Sequence, residues 1–387
     1  MDYFARQELV LDGETGSRIR QTRVLVVGAG AGGNEVLKNL ALMGFGHFTI
    51  VDFDPIESSN LSRTTLFSKE HIGQSKSAVA AEVLGKLSLH EAPQITSYNL
   101  RIQDLGKQVF LDNDLVISCV DTNDARAYLN EWCVRLRRPF WELGFEKFVV
   151  QVCFFPNAAR GDACLREVIG YGEFGGRRQS CSRLKMTDTQ LQHIPTIQVA
   201  SALAGAFVAT EVILHLQGRS RLGNKLLQYS ADYHRCCVFE IPQSEKCLLH
   251  REGELALVEA GLDGTATVRA LLERMKEVTG EECLLRLPDE FIFSMECEGC
   301  GKELPIGRFK ADVYDRERWC AACLEAGKYE EIPVSRNWSM IREMNLLNQK
   351  QAEFLGMRLA DFAVKPKDLV KVESLNDLTK GYLVKIN

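Results

Sequence analysis

Two sets of residues in this 387-residue chain have the types and spacing to do chemistry. Cys297-Glu298-Gly299-Cys300 and Cys320-Ala321-Ala322-Cys323 are Cys-x-x-Cys pairs about 19 residues apart. Thiolates at i and i+3 on a turn can share one tetrahedral ion, Gly299 and Gly301 ease the tight knuckle, and the spacing is that of a zinc ribbon. Four thiolates leave no position for water, so the expected Zn2+ is structural and shapes a docking surface. The second set begins with Gly28-x-Gly30-x-x-Gly33. There the first glycine permits a tight turn, the second lets a phosphate approach the backbone, and the third allows helix and strand to pack closely. The helix N-terminus then offers unpaired N–H groups to the anion. Asp52, about 20 residues on, is placed for ribose hydroxyls, which suits NAD as well as ATP. Beyond it come Asn60, Arg63 and Lys76, the donors needed to hold a triphosphate and to stabilise charge developing at phosphorus; a dehydrogenase has no obvious use for them. Asp121, at the carboxyl end of a later strand, lies on the ligand-binding edge of a sheet and could hold Mg2+.

These residues need a frame, and hydrophobic patterning supplies one. An apolar run, Arg23 to Val27, precedes the glycines, Asn34 to Met43 reads as a helix, and a second apolar strand, His47 to Val51, ends at Asp52. Strand, glycine turn, helix, strand and acidic residue make the first βαβ unit of an α/β, doubly wound, Rossmann-like sheet. A helix over Lys76 to Leu87 and a strand over Leu115 to Ser118 continue it. Trp141 to Phe155 reads as strand-rich, Gly161 to Gln192 as a polar loop, and Leu226 to Tyr229 as a strand. Ile197 to Leu216 is the longest apolar stretch; Glu211 within it and its small residues favour a buried core or interface helix over a membrane span. Glu254 to Glu277 reads as helical. The domain reading is an ATP-binding domain over 1–245, a partly helical connecting segment over 246–290, a zinc ribbon over 291–330 and a small C-terminal tail domain over 331–387.

The composition is that of a soluble globular chain, with 47 Lys+Arg against 52 Asp+Glu, a net charge of −5 and 45% hydrophobic residues. That balance gives no footprint for nucleic acid or for an anionic membrane surface. The 13 cysteines are odd in number and scattered, and the first residues lack the pattern of a secretory signal. Reduced cysteines in a cytoplasmic protein are therefore expected, serving metal binding or nucleophilic chemistry rather than a disulfide framework.

Tyr3-Phe4-Ala5-Arg6-Gln7, Val27 to Gly33, Val51-Asp52-Phe53-Asp54, Ser59-Asn60-Leu61-Ser62-Arg63, Gly73-Gln74-Ser75-Lys76, and Val120-Asp121 with Arg126 together resemble the MoeB/ThiF family, the adenylating fold shared with ubiquitin-activating enzymes. The resemblance runs from about Tyr3 to Cys247. It implies MgATP as cofactor, adenylation of the C-terminal glycine of a ubiquitin-like or sulfur-carrier protein, Asp52 on ribose, Asn60, Arg63 and Lys76 on the phosphates, and Asp121 on magnesium. It also implies that Arg6 reaches the neighbouring subunit's ATP, hence a homodimer, and that a downstream conjugating or sulfur-accepting protein is a further partner.

In relatives that pass the acyl group on, a cysteine lies in the loop before the long apolar helix. Here that loop holds Cys181 among Arg177, Arg178, Arg183 and Lys185, cations that lower a thiol pKa and favour attack on an acyl adenylate or sulfur transfer. Several relatives also bind zinc through two Cys-x-x-Cys pairs flanking that helix. This chain departs from the pattern, offering Cys164 with Glu167 and Cys247 with His250, a set that either still binds or has been lost. Two other readings stay open: an adenylase acting on a small-molecule or peptide carboxylate, and a non-catalytic adapter that keeps the fold. NAD in place of ATP also stays open, and titration of one against the other separates them.

Overall fold

The computed structural model describes residues 3–159, 161–170, 196–245, 247–251, 255–297, 300–309, 320–325, 337–345, 347–348, 351–377 and 380–387. The chain divides into two units, Met1–Arg251 and Glu252–Asn387.

In the first unit eight strands form one sheet. They are β1 (Arg23–Val27), β2 (His47–Val51), β3 (Gln94–Tyr98), β4 (Leu115–Ser118), β5 (Phe140–Glu146), β6 (Val149–Phe155), β7 (Lys225–Ser230) and β8 (Arg235–Glu240), in the order β3-β2-β1-β4-β5-β6-β7-β8. Neighbours from β3 across to β5 are parallel, and those from β5 to β8 antiparallel. Parallel neighbours require crossovers, and helices on both faces leave the central strands apolar throughout: Val24, Leu25 and Val26 are wholly buried. The helix Ala31–Leu42 connects β1 to β2, and Lys76–Leu87, whose N-cap Ser75 accepts the Ala78 N–H, connects β2 to β3. The chain then returns to the other side of β1 as β4. The order therefore reverses between β1 and β4, and a crevice opens beyond their carboxyl ends. The α/β doubly wound architecture read from the sequence is the one found.

The helix Gln198–Leu216 is long and apolar enough to cross a membrane by length and composition. Its Ala200, Ala204, Val208 and Val212 are buried in the core that also holds Val36 and Leu40 of Ala31–Leu42 and Trp141 and Phe154 of β5 and β6. The two helices meet where Gly205 lies over Glu35: a Cβ at Gly205 would come within 2.5 Å of the Glu35 Cβ. The Gln198 amide donates to the buried Glu35 carboxylate at 2.6 Å, pinning the start of the helix.

The second unit holds β9 (Leu255–Leu262), β10 (Cys283–Glu296), β11 (Glu303–Phe309), β12 (Asn337–Asn345), β13 (Leu369–Ser374) and β14 (Gly381–Ile386). The sheet order is β11-β10-β13-β14-β9, with β12 also pairing β10. Helix Val268–Thr279, capped by Thr267 and stopped by Gly280 at φ 72°, buries Leu271, Leu272 and Met275 in the core of this unit. The helix expected over Glu254 to Glu277 is corrected: its first third is β9, held by parallel pairing with β14. Strands from the expected connector, ribbon and tail stand in one sheet, and the 290/291 boundary falls inside β10.

Two helical glycines make opposite predictions. Gly85 is exposed, and a Cβ there would have its nearest neighbour, a side-chain atom of Ile95, 4.0 Å away. Gly85→Ala is expected to stabilise by about 0.5–1 kcal/mol through lost unfolded-chain entropy. Gly205→Ala is expected to destabilise by about 1–3 kcal/mol through overpacking. Urea melts followed by circular dichroism measure both; equal shifts would contradict the helix contact.

Candidate functional site

Backbone geometry at the crevice leaves little freedom. The Gly28 N–H donates to Val51 O at 2.8 Å, and the Cys119 N–H to Val27 O at 2.7 Å, so the ends of β1, β2 and β4 are tied together. Gly28 has φ +94°, and a Cβ there would sit 2.5 Å from the Cys119 carbonyl oxygen; a Cβ on Gly33 would lie 1.9 Å from the Gly28 oxygen. Gly30, the N-cap of the helix Ala31–Leu42, differs from both: a Cβ there meets no atom within 4 Å. Two glycines thus serve the protein's own packing. The third faces open space at a helix N-terminus, the place where an anion approaches the backbone.

Asp52 is 8% exposed. Its carboxylate accepts the Ala29 N–H at 2.6 Å and the Asp54 N–H at 2.8 Å, which anchors the glycine turn to the end of β2. Burial pushes the Asp52 pKa up, while the Lys76 charge and the two backbone N–H groups oppose it. The Lys76 ammonium pairs with Asp54 at 2.9 Å and is 12% exposed. Asn60 is buried and accepts the Glu57 N–H at 3.0 Å, shaping the turn Ser58–Asn60. Arg63 follows it half-buried and forms no ion pair among the described residues, and Asp121 is exposed just past β4. The structure therefore brings Gly28, Gly30, Gly33, Asp52, Lys76 and Asp121 to one edge of the sheet, with the segment that carries Asn60 and Arg63 tied to the glycine turn through Leu66.

Three residues have parts here that sequence reasoning did not assign. Asn34, wholly buried in the first turn after the glycines, donates to Ala29 O at 2.7 Å and to Gly30 O at 3.0 Å, and accepts the Leu66 N–H at 2.8 Å. It ties the glycine turn to the segment that carries Asn60 and Arg63. Arg126 and Glu142, also buried, pair behind Asp121.

Arg6 is not at this edge. Phe4 packs against Gly44, and the Gln7 amide donates to Met43 O at 2.9 Å, so the N-terminal segment lies at the far end of the helix Ala31–Leu42. Cys181 lies outside the described residues.

Among the described residues, two clusters have the donors for a metal ion, and within each the donor atoms all lie within 4.8 Å of one another. In the first, the Cys297 and Cys323 sulfurs are 3.8 Å apart and the Cys300 and Cys320 sulfurs 3.7 Å. Four thiolates about 2.3 Å from a tetrahedral zinc have sulfurs about 3.8 Å apart, whereas a disulfide needs about 2.05 Å. The Gly301 N–H closes the knuckle on Cys297 O at 2.8 Å, with Gly301 at φ +70°. The second cluster is Cys164, Glu167, Cys247 and His250. Cys164 and Cys247 are wholly buried with sulfurs 3.8 Å apart, and His250 Nδ1 is 3.3 Å from Glu167 Oε1. The hydrogen bond from Cys164 pulls the Cys247 pKa down and, with burial, pushes that of Cys164 up. Both ring nitrogens of His250 are buried without a hydrogen-bond partner among the described residues. Two thiols, a carboxylate and an orphaned imidazole fit a tetrahedral zinc set.

The ThiF family model matches residues 4–249. The chain is 39% identical over 140 residues to SUMO-activating enzyme subunit 2 of Dictyostelium discoideum, a match covering 36% of this chain and 21% of that protein. It is 38% identical over 112 residues to the NEDD8-activating enzyme E1 catalytic subunit of Caenorhabditis elegans, covering 29% and 26%. The chain thus spans a quarter or less of the first of these relatives and about a quarter of the second. Among solved structures, Escherichia coli MccB superposes with a TM-score of 0.54 at 20% identity, over 64% of this chain and 74% of that one, which is a likeness of fold.

The glycines give a test that separates binding from folding. Gly30→Ala is expected to keep its melting midpoint, within about 0.5 kcal/mol, and to lose nucleotide affinity. Gly28→Ala is expected to lose at least about 1–3 kcal/mol from backbone strain alone. Calorimetric titration with ATP and with NAD reads the affinity, and Gly30→Ala binding like wild type would remove the open position from the site.

Proposed function

The chain belongs to the ThiF family, and we propose that it uses MgATP to adenylate the C-terminal glycine of a ubiquitin-like or sulfur-carrier protein. The observation that carries this reading is the open helix N-terminus at Gly30, set beside the buried Asp52 with Lys76 on the same edge and Arg63 in the segment tied to the glycine turn. Backbone N–H groups there suit the phosphates, and Asp52, already oriented by two N–H donors, offers its remaining acceptor capacity to ribose hydroxyls. The incoming carboxylate is itself the nucleophile, so no general base is required. The protein's task is to align it and to neutralise charge accumulating on the phosphoryl oxygens and the leaving pyrophosphate. Lys76 and Arg63 do this from within the subunit, and Lys76 exchanges Asp54 for phosphate. Asp121 would hold Mg2+, whose contribution is added positive charge at the phosphates.

Arg6 completes the site from a neighbouring copy. Its segment lies a helix of 12 residues away from its own glycine turn, about 18 Å, beyond the reach of an arginine side chain. This reading takes the protein as a homodimer. The SUMO- and NEDD8-activating relatives favour a ubiquitin-like substrate over a small acid. Cys181 accepts the acyl group as a thioester or takes part in sulfur transfer, a chemistry suited to a reducing cytoplasm. Both cysteine clusters hold structural zinc.

Purified protein with MgATP and its carrier is expected to exchange labelled pyrophosphate into ATP only when the carrier is present. Exchange with a small acid or peptide and with no ubiquitin-like protein would replace the substrate assigned here. Cys181→Ala is expected to keep exchange and lose a thiol-sensitive covalent adduct.

Metal analysis is expected to find two zinc ions per chain, one per cluster. Cys297→Ser should lose one and His250→Ala the other, each with a lower melting midpoint. Full zinc content in either variant would sink that site.

A further inference from the structure

The mechanism above leaves one buried ion pair unused. Arg126 and Glu142 have side chains 2% and 6% exposed, with Arg126 Nε 3.0 Å from Glu142 Oε1. Arg126 lies in the first turns of the helix Asn123–Arg135, which Thr122 caps by accepting the Ala125 N–H. Glu142 stands on β5 opposite Ser118, the last residue of β4. The pair therefore bridges β5, the neighbour of β4, to the helix that follows the turn 119–121. From there Arg126 Nη2 donates to the Val120 carbonyl at 3.1 Å. Val120 is also a wall of the glycine turn, since its nitrogen lies 3.2 Å from the Cβ position of Gly28. Asp121 is the next residue.

Stability alone does not account for this arrangement. Removing two charges from water costs several kcal/mol per ion, and well-packed apolar residues would often hold the strand and helix as firmly. An apolar pair has no donor for the Val120 carbonyl, however. A guanidinium fixed by a carboxylate supplies a planar donor set that aims one N–H at that oxygen.

We propose that Arg126, oriented by Glu142, is a positioning residue: it holds the Val120 carbonyl, and so fixes Asp121 at the crevice edge to receive the divalent cation that accompanies the nucleotide. This rests on the nucleotide reading of the same site. Arg126 does not touch nucleotide or metal; its effect passes through one backbone carbonyl to the neighbouring carboxylate.

The measured quantity is ATP affinity with Mg2+ divided by ATP affinity in EDTA, obtained by calorimetry beside thermal melts. Asp121→Asn sets the value for a lost cation ligand. Arg126→Met is expected to lower the ratio toward that value, by about tenfold or more, as supporting residues of metal sites do. Arg126→Lys should recover part of it, and Glu142→Gln should lower it less than Arg126→Met. Adding Arg126→Met to Asp121→Asn should reduce the ratio no further, because both act on one contact. A wild-type ratio in Arg126→Met and Glu142→Gln, with lowered melting midpoints, would overturn the proposal and make the pair a packing device. If Arg126→Met does not fold, Arg126→Lys and Glu142→Gln decide by the same ratio. Wild-type protein that binds no ATP in either condition would fail the nucleotide reading first and this inference with it, whereas wild-type binding without any Mg2+ effect would overturn only the inference.

Discussion

Everything at the crevice depends on how closely three backbones approach one another where Gly28 leaves β1. The Gly28 N–H is held by β2 through Val51, and the residue after β4 is held by β1 through Val27. No side chain fits between Gly28 and the Cys119 carbonyl, or between Gly33 and the Gly28 carbonyl. With that space closed, the turn has one conformation, and Asp52, the helix N-terminus and the turn before Asp121 acquire fixed relations. A looser turn would leave the same residues in the sequence and no site. The glycines are thus less a phosphate motif than a packing requirement, one of whose three members, Gly30, was left open.

The charges around this frame are arranged in two ways. Those that build the frame are buried and already engaged: Asp52 with two N–H groups, Arg126 with Glu142 and the Val120 carbonyl. Those assigned to the ligand are reachable, with Arg63 half-buried and Asp121 exposed. Lys76 stands between the two classes, half-buried and paired to Asp54, whose side chain is 47% exposed. Replacing a half-solvated carboxylate by a phosphate dianion costs little, so Lys76 is held in place without being sequestered.

Most of the parallel half of the first sheet was legible because its central elements carry their own signals, while β3 at its edge, with exposed and half-buried residues alternating, was not read. The run Arg23–Val27, the three glycines and the strand ending at Asp52 lie within thirty residues, and their order alone dictates the βαβ unit. The helix Lys76–Leu87 and the strand Leu115–Ser118 were likewise readable from local pattern. What depended on distant partners was not. Leu255–Leu262 looked helical because nothing near it in sequence reveals β14, which pairs with it from residues 381–386. β8, with exposed residues along most of its length, exists through its hairpin with β7 rather than through a core-facing pattern. Asn34 was hidden for the same reason, an ordinary polar residue until the fold brings Leu66 beside it, whereas Arg126 stood out by motif and only its partner Glu142 was hidden.

The two cysteine clusters show the same division between local and distant information, and energetics permits either form. Cys297 and Cys300 announce themselves by spacing, at the tip between β10 and β11, and their partners lie within 26 residues. Cys164 and Cys247 are 83 residues apart, each with a different second ligand, and spacing alone said little about them. Chain-closure entropy grows only with the logarithm of loop length, so the longer span costs about 1 kcal/mol more to close than the shorter one. That is small against what a structural zinc contributes to folding. The longer closure also meets a prebuilt frame: Asn130 donates to the Cys164 sulfur and accepts the Leu165 N–H at 2.7 Å, and Glu167 accepts the N–H groups of Cys164 and Ser244. A carboxylate and an imidazole could then stand where two further thiolates would serve, because Glu167 is already held by its own hydrogen bonds and does not depend on spacing to reach the cluster.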